Sequence, residues 1–196
     1  MDDFLRALIG FFAIVDPIGN ILAFEAIAGR ASQRDKVRIA LLAVVVSFVL
    51  IVVFALAGEH VLDFLGISPA SFQIAAGILL VLPAIRLVER GEVFEETPGG
   101  SRASLDTAVV PLALPMLSGP GALALATSSA QRYGEGVTLS AAGIVLVATF
   151  VVFALTAVLV RFIPPAALRA FARIIGVILM AIAVDFVVSG WLEATA

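Results

Sequence analysis

The chain has 196 residues, 62% hydrophobic and 14% charged, with a formal net charge of −3 and a mean hydropathy of +1.16. A soluble domain of this size could not bury so much apolar surface, so the composition specifies an integral membrane protein with no room for a separate soluble domain. The absence of cysteine excludes disulfides and thiolate chemistry, and a single histidine argues against a metal site. The acidic opening Met1-Asp2-Asp3 is unlike the basic start of a cleaved signal peptide.

Six apolar segments follow in chain order, at 4–28, 37–57, 69–88, 106–130, 137–160 and 165–188. Each is close to the roughly 17–25 residues that a helix needs to cross a bilayer. The first is interrupted by Asp16-Pro17-Ile18-Gly19-Asn20. An Asp before a Pro is a helix-start signal, because the carboxylate can cap free N–H groups and Pro is tolerated at the first helical position. A helix start inside an apolar run predicts a span broken near the bilayer centre. The fourth segment is interrupted by Ser118-Gly119-Pro120-Gly121. Both breaks fall roughly 12 residues into their segments, or about 18 Å at 1.5 Å per residue, which puts both near mid-membrane.

The longest connection, 89–105, carries Glu95-Glu96 and Pro98-Gly99-Gly100 and divides the chain almost in half. Phe72-Gln73-Ile74-Ala75-Ala76-Gly77-Ile78-Leu79-Leu80 aligns with Phe171-Ala172-Arg173-Ile174-Ile175-Gly176-Val177-Ile178-Leu179, superposing Phe, Gly and Leu, and Asp16 to Gly19 aligns with Ser118 to Gly121. The expected fold is therefore an all-α membrane domain over 1–196, with six transmembrane helices in two three-helix repeats (about 1–88 and 106–196). An odd number of spans per repeat makes the repeats inverted. All basic residues except Arg6 and Arg132 fall at the first, third and fifth connections. Those connections should be cytoplasmic and both termini outside, in the cytoplasmic (inner) membrane of a prokaryote.

Broken helices present free amides and the positive end of a dipole at mid-membrane, and these must face a protein-enclosed cavity or a ligand rather than lipid. Two such ends suit a carboxylate, and carbonyls freed at Val15 and near Leu117 suit an ammonium or small cation. A small zwitterion meets both demands. The candidate substrate-binding residues are Asp16, Pro17, Ile18, Gly19, Asn20, Ser118, Gly119, Pro120 and Gly121, and the candidate ion-coupling residues are Asp16 and Asp185. Among the other polar residues, Arg86 is expected to snorkel to the interface and Glu25 to pair with Arg173 or Arg86. Gln73 should reach the cavity or bridge helices, while Glu59, His60 and Asp63 should face water. No hydrolase, metalloprotease, phosphate-loop or intramembrane aspartyl motif occurs, so no enzyme, metal or cofactor is expected, and nothing points to nucleic acid.

The first break, the stretch Pro111-Leu112-Ala113-Leu114-Pro115-Met116-Leu117-Ser118-Gly119-Pro120-Gly121-Ala122 and six spans in this length together resemble the MarC family, also called the neutral amino acid transporter family, over nearly the whole chain. The resemblance implies a polytopic cytoplasmic-membrane protein, with glycine and alanine transported by some members. It also implies a departure, since family members often carry Gln where this chain has Asp185. The expected partners are the lipid bilayer, a small-molecule substrate and a coupling ion (proton or sodium), with oligomeric state open. The expected activity is alternating-access transport of a small neutral amino acid. An exporter of another small solute, a channel and a non-transporting scaffold are the alternatives.

Overall fold

The computed structural model describes residues 2–28, 31–91, 108–156 and 164–195, and every regular element among them is helical. They are α1 (Asp2–Val15), α2 (Asn20–Ala28), α3 (Gln33–Phe64), α4 (Pro69–Arg90), a π-helical segment (Ala108–Leu117), α5 (Pro120–Tyr133), α6 (Glu135–Ala154) and α7 (Pro165–Thr195). Local chemistry sets the boundaries. Ser32 opens α3, its hydroxyl oxygen accepting the Asp35 N–H at 3.2 Å. Ser68 opens α4 in the same way through Ser71 N–H at 3.1 Å, with Pro69 in the first helical turn, where its missing N–H costs nothing. Gly91 closes α4 at φ +76°, a left-handed geometry that glycine adopts without a Cβ penalty. Pro83 lies inside α4.

Among the described residues, four helices are long and apolar enough to cross a membrane: α3, α4, α6 and the Arg169–Thr195 part of α7. Their outward faces carry large apolar side chains such as Leu41, Val49, Ile78, Val147 and Val177, as a lipid solvent requires. Two further apolar runs are interrupted. α1 stops at Val15 and α2 starts at Asn20, and the π-helical segment stops at Leu117 and α5 starts at Pro120. Pro111 and Pro115 cannot donate to an α-helical ladder. The segment that contains them runs with wider turns, ending in a Ser118 N–H bond to Ala113 O at 2.9 Å.

Helices run past the predicted spans. The second segment, read as 37–57, is the 32-residue α3, and α5 continues to Tyr133. The connection at 92–107 lies outside the described residues, as do Arg30, Arg102 and Arg161. The predicted partner of Glu25 is corrected. Its carboxylate takes Lys36 Nζ at 3.0 Å, one turn into α3, whereas Arg173 Nη2 donates to the Glu89 carbonyl at 3.2 Å. Lys36 enters α3 directly after the short connection from α2, so it reaches Glu25 before any residue of α7 can. Glu59, His60 and Asp63 are exposed at the end of α3, as expected.

Packing divides into two apolar clusters. One joins α1, α2, α3, α6 and the segment before the second break, and includes the stacked rings of Phe24 and Phe153, with centroids 4.4 Å apart. The other joins α4, α7 and the flanks of the breaks through Ile14, Ala76, Leu80, Leu87, Ala122, Leu179, Ala183 and Phe186. The α4–α7 seam is the most extensive helix pair among the described residues, and it is built on glycine. A Cβ at Gly77 would stand 2.7 Å from Ala183 O and 3.0 Å from Phe186 Cβ. One at Gly176 would stand 2.8 Å from Leu87 Cβ and 2.9 Å from Val88 N. Glycine lets the two backbones approach closely where hydrocarbon gives no other reason to associate.

Candidate functional site

The first break is shaped by Asp16. Its backbone takes φ +43°, unusual for a residue with a side chain, and this turns the chain away from α1. Its Oδ1 accepts the Gly19 N–H at 2.9 Å, the capping bond expected of an Asp three residues before that amide. A Cβ at Gly19 would run into the same carboxylate, so the fold requires glycine there. Asn20 Nδ2 then donates to Val15 O at 2.8 Å, and Asn20 N–H bonds to Asp16 O at 3.1 Å. Two expectations are corrected here. The Val15 carbonyl is not left for an ammonium, because Asn20 occupies it, and the first helix start is capped by its own Asp16 rather than open to a ligand carboxylate.

The second break is built differently. No side chain caps Gly119. Pro120 has no N–H, so the amides of Gly121 and Ala122 are the first-turn donors of α5 without a partner inside the helix. Ser118 is fully buried, and its hydroxyl donates to Ala113 O at 2.8 Å. That bond closes the end of the π-helical segment and turns Ser118 inward to its own backbone.

The two breaks meet at one cavity of about 340 Å³. Asp16 and Asn20 line it from the first break, Gly119, Pro120 and Gly121 from the second, with Met116 before it and Ala122 after. The remaining wall is apolar, largely from α4 (Leu79, Leu80, Leu82, Pro83), and Arg86 stands on the same wall. Asp16 is 3% exposed and Asn20 4% exposed. Asp16 Oδ2 and Asn20 Oδ1 have no hydrogen-bond partner. Two buried acceptor oxygens without donors carry a desolvation cost of about 1–3 kcal/mol each, more for a charged group, until something donates to them. The residues that line the cavity thus include two that carry an unpartnered acceptor and two at the start of α5 whose amides have no partner inside the helix.

Of the predicted residues, Pro17, Ile18, Gly19 and Ser118 are not in the lining and act by shaping the breaks. Asp185 is exposed on α7 and lies outside the cavity. Gln73 is buried and lines a second, water-sized cavity of about 20 Å³ with Thr127, Ser128, Gln131 and Glu193, further along the α4–α5 groove. The sequence reading missed Arg86, whose place inside an amphipathic stripe is indistinguishable from that of a snorkelling residue until α4 is docked. It also missed the apolar wall, because Leu79 and Leu82 read like any lipid-facing leucine.

A profile described as "MarC family integral membrane protein" matches residues 1–195. The chain belongs to the MarC family. Similar curated proteins include a UPF0056 membrane protein of Archaeoglobus fulgidus, 30% identical over 97% of this chain and 92% of the relative. The UPF0056 membrane protein YhcE of Escherichia coli K12 is 32% identical over 95% of this chain and 91% of the relative. The UPF0056 inner membrane protein MarC of Escherichia coli O1:K1 is 28% identical over 95% of this chain and 92% of the relative. No solved structure matches. As a MarC-family member the chain is an integral membrane protein, and its bacterial relatives named MarC are inner membrane proteins.

Proposed function

We propose that this MarC-family protein is a secondary transporter of small neutral amino acids, working by alternating access around the cavity between its two breaks. The observation that carries the reading is the lining. Residues of both interruptions face one cavity of about 340 Å³, within the range of about 300–1,000 Å³ typical of small-molecule sites. Asp16 and Asn20, which line it, each carry a buried oxygen without a donor, and an ammonium group supplies donors. The uncapped amides of Gly121 and Ala122, at the positive end of α5, suit the carboxylate of the same molecule. Coupling to a proton or sodium would act through Asp16, the one carboxylate in the lining.

The architecture that goes with this reading is a single domain over 1–196 with six spans, two of them the broken pairs α1/α2 and π-helix/α5, arranged as inverted repeats at about 1–88 and 106–196. Its support is the glycine seam. Gly77 and Gly176, equivalent in the sequence alignment, meet equivalent residues of the opposite helix (Phe186 and Leu87). The distribution of Arg and Lys argues for termini outside, which makes the Arg86 end of the cavity cytoplasmic. The test is purified protein in liposomes. Saturable uptake or counterflow of glycine, alanine or serine supports the reading. No flux of any of them under proton or sodium gradients overturns it, and conductance without saturation replaces it with a channel.

A further inference from the structure

The α4–α7 seam gives each residue of one helix an equivalent on the other, in the register that pairs Gly77 with Gly176. Gly77 meets Phe186 and Val187, while Gly176 meets their equivalents Leu87 and Val88. At the ends of the seam Gly190 meets Ala70, and its equivalent Gly91 meets Arg169, the equivalent of Ala70. Four close approaches, in two exchanged pairs, describe two antiparallel helices related by a two-fold axis across the seam. At this level the two helices are interchangeable.

Their surroundings are not. On α4, Leu82, Pro83 and Arg86 line the cavity. Their equivalents on α7, Ala181, Ile182 and Asp185, do not, and Ile182 is packed instead in the cluster that contains Ile14 and Leu179. The difference comes from the elements before the breaks. α1 lies against α7, whereas the π-helical segment makes no comparable contact with α4 among the described residues, and the cavity occupies that gap. Ile14 and Met116 are equivalent in the alignment of the two breaks, and both line the cavity. At the seam one arm is closed and the other is open; away from it the halves differ, since α5 packs on α3 and α4 whereas α2 makes no comparable contact among the described residues. Exchanging the two arms breaks and makes equivalent contacts along the seam, as a two-state element requires.

We infer that α7 carries a second mouth to the same site, lined by Ala181, Ile182 and Asp185, which opens on the face opposite Arg86 when Met116 closes against Pro83 and α1 leaves Ile182. This inference rests on the transport reading and extends it to a named route. It assigns Asp185, already exposed on α7, as the acidic group of the second mouth where Arg86 is the basic group of the first. A solute with an ammonium group meets opposite charges at its two points of entry and exit.

The chain has no cysteine, so single cysteines report without background. Leu82→Cys, Ala181→Cys, Asp185→Cys and Val147→Cys, the last an exposed residue on the outward face of α6, are reconstituted and treated with a membrane-impermeant maleimide from either face. Ala181→Cys and Asp185→Cys should react at least about tenfold faster than Val147→Cys, from the face opposite the one that labels Leu82→Cys. Cross-linking Met116→Cys to Pro83→Cys should raise Ile182→Cys labelling several-fold, and cross-linking Ile14→Cys to Ile182→Cys should abolish labelling of Ala181→Cys. Equal labelling of Ala181→Cys and Val147→Cys, or labelling of Ala181→Cys and Leu82→Cys from the same face, overturns the inference. None of these readouts needs a substrate. Failure of amino-acid uptake with the labelling pattern intact therefore overturns the substrate assignment and supports the second mouth.

Discussion

Asn20 donates from Nδ2 to the carbonyl of Val15 at 2.8 Å, so the residue that opens α2 also satisfies the last turn of α1. That bond fixes the amide and leaves its Oδ1 without a partner, as Asp16 Oδ2 is. The break is therefore closed on its backbone side and leaves two buried acceptors without donors.

Asp16→Asn is the sharpest test of that arrangement. The amide oxygen can still accept the Gly19 N–H, so the fold should persist, with a melting temperature within a few degrees of the parent. A hydrogen bond to a charged group is worth about 1.5–3 kcal/mol, so transport or binding should fall by roughly 10- to 100-fold. Initial uptake rates in liposomes and binding by calorimetry measure it. Parent-like kinetics would remove Asp16 from the site.

Asn20→Leu should weaken both stability and transport. It leaves the buried Val15 carbonyl without a donor, at about 1–3 kcal/mol, and removes one acceptor from the cavity. Asn20→Asp keeps an oxygen facing the cavity but cannot donate to Val15. It should match the leucine variant in destabilisation, read by thermal unfolding in detergent, if the Val15 bond is the structural part of this residue's role.

Gly19→Ala tests the crowding at the first break. The added methyl group must displace the Asp16 carboxylate, so a cost of about 1–3 kcal/mol is expected from overpacking, together with loss of transport. Gly134→Ala is a control for the thermal measurement at a glycine where nothing stands within 4 Å of the added Cβ but φ is +86°. Its cost should be confined to backbone strain, and its uptake should be unchanged.

Gly77→Val and Gly176→Val should destabilise the α4–α7 seam by similar amounts, about 1–3 kcal/mol each, because each side chain would enter the same kind of contact on the opposite helix. Unequal losses, measured by unfolding in mixed micelles, would count against the two-fold relation.

Much of this was legible in the sequence and some was not. Helix breaks are local events, written in Asp16-Pro17 and Gly119-Pro120, and both appear where the residues put them. The alignment of Gly77 with Gly176 was readable in the sequence, and both glycines stand at close approaches of the α4–α7 seam. What sequence could not supply was the direction of side-chain hydrogen bonds. Ser118 looked like a ligand-binding hydroxyl but turns to Ala113 O, since a buried hydroxyl beside a widened helix end finds the nearest free carbonyl first. Arg86 and the leucines of the cavity wall were hidden for the opposite reason. On an apolar helix, which stripe meets lipid and which meets a cavity depends on the packing partner, and the partner of α4 lies in the other half of the chain.

Pro83 separates the two arms of the seam in a way their shared register conceals. It supplies no N–H to the carbonyl of Leu79, and both residues stand in the cavity wall. At the equivalent turn of α7 stands Ile182, which can donate. The α4 arm therefore has a softened turn and a spare acceptor beside the cavity, while the α7 arm is stiffer. The softened arm should yield more readily than the stiffer one, so opening at α4 and opening at α7 are expected to proceed at unequal rates.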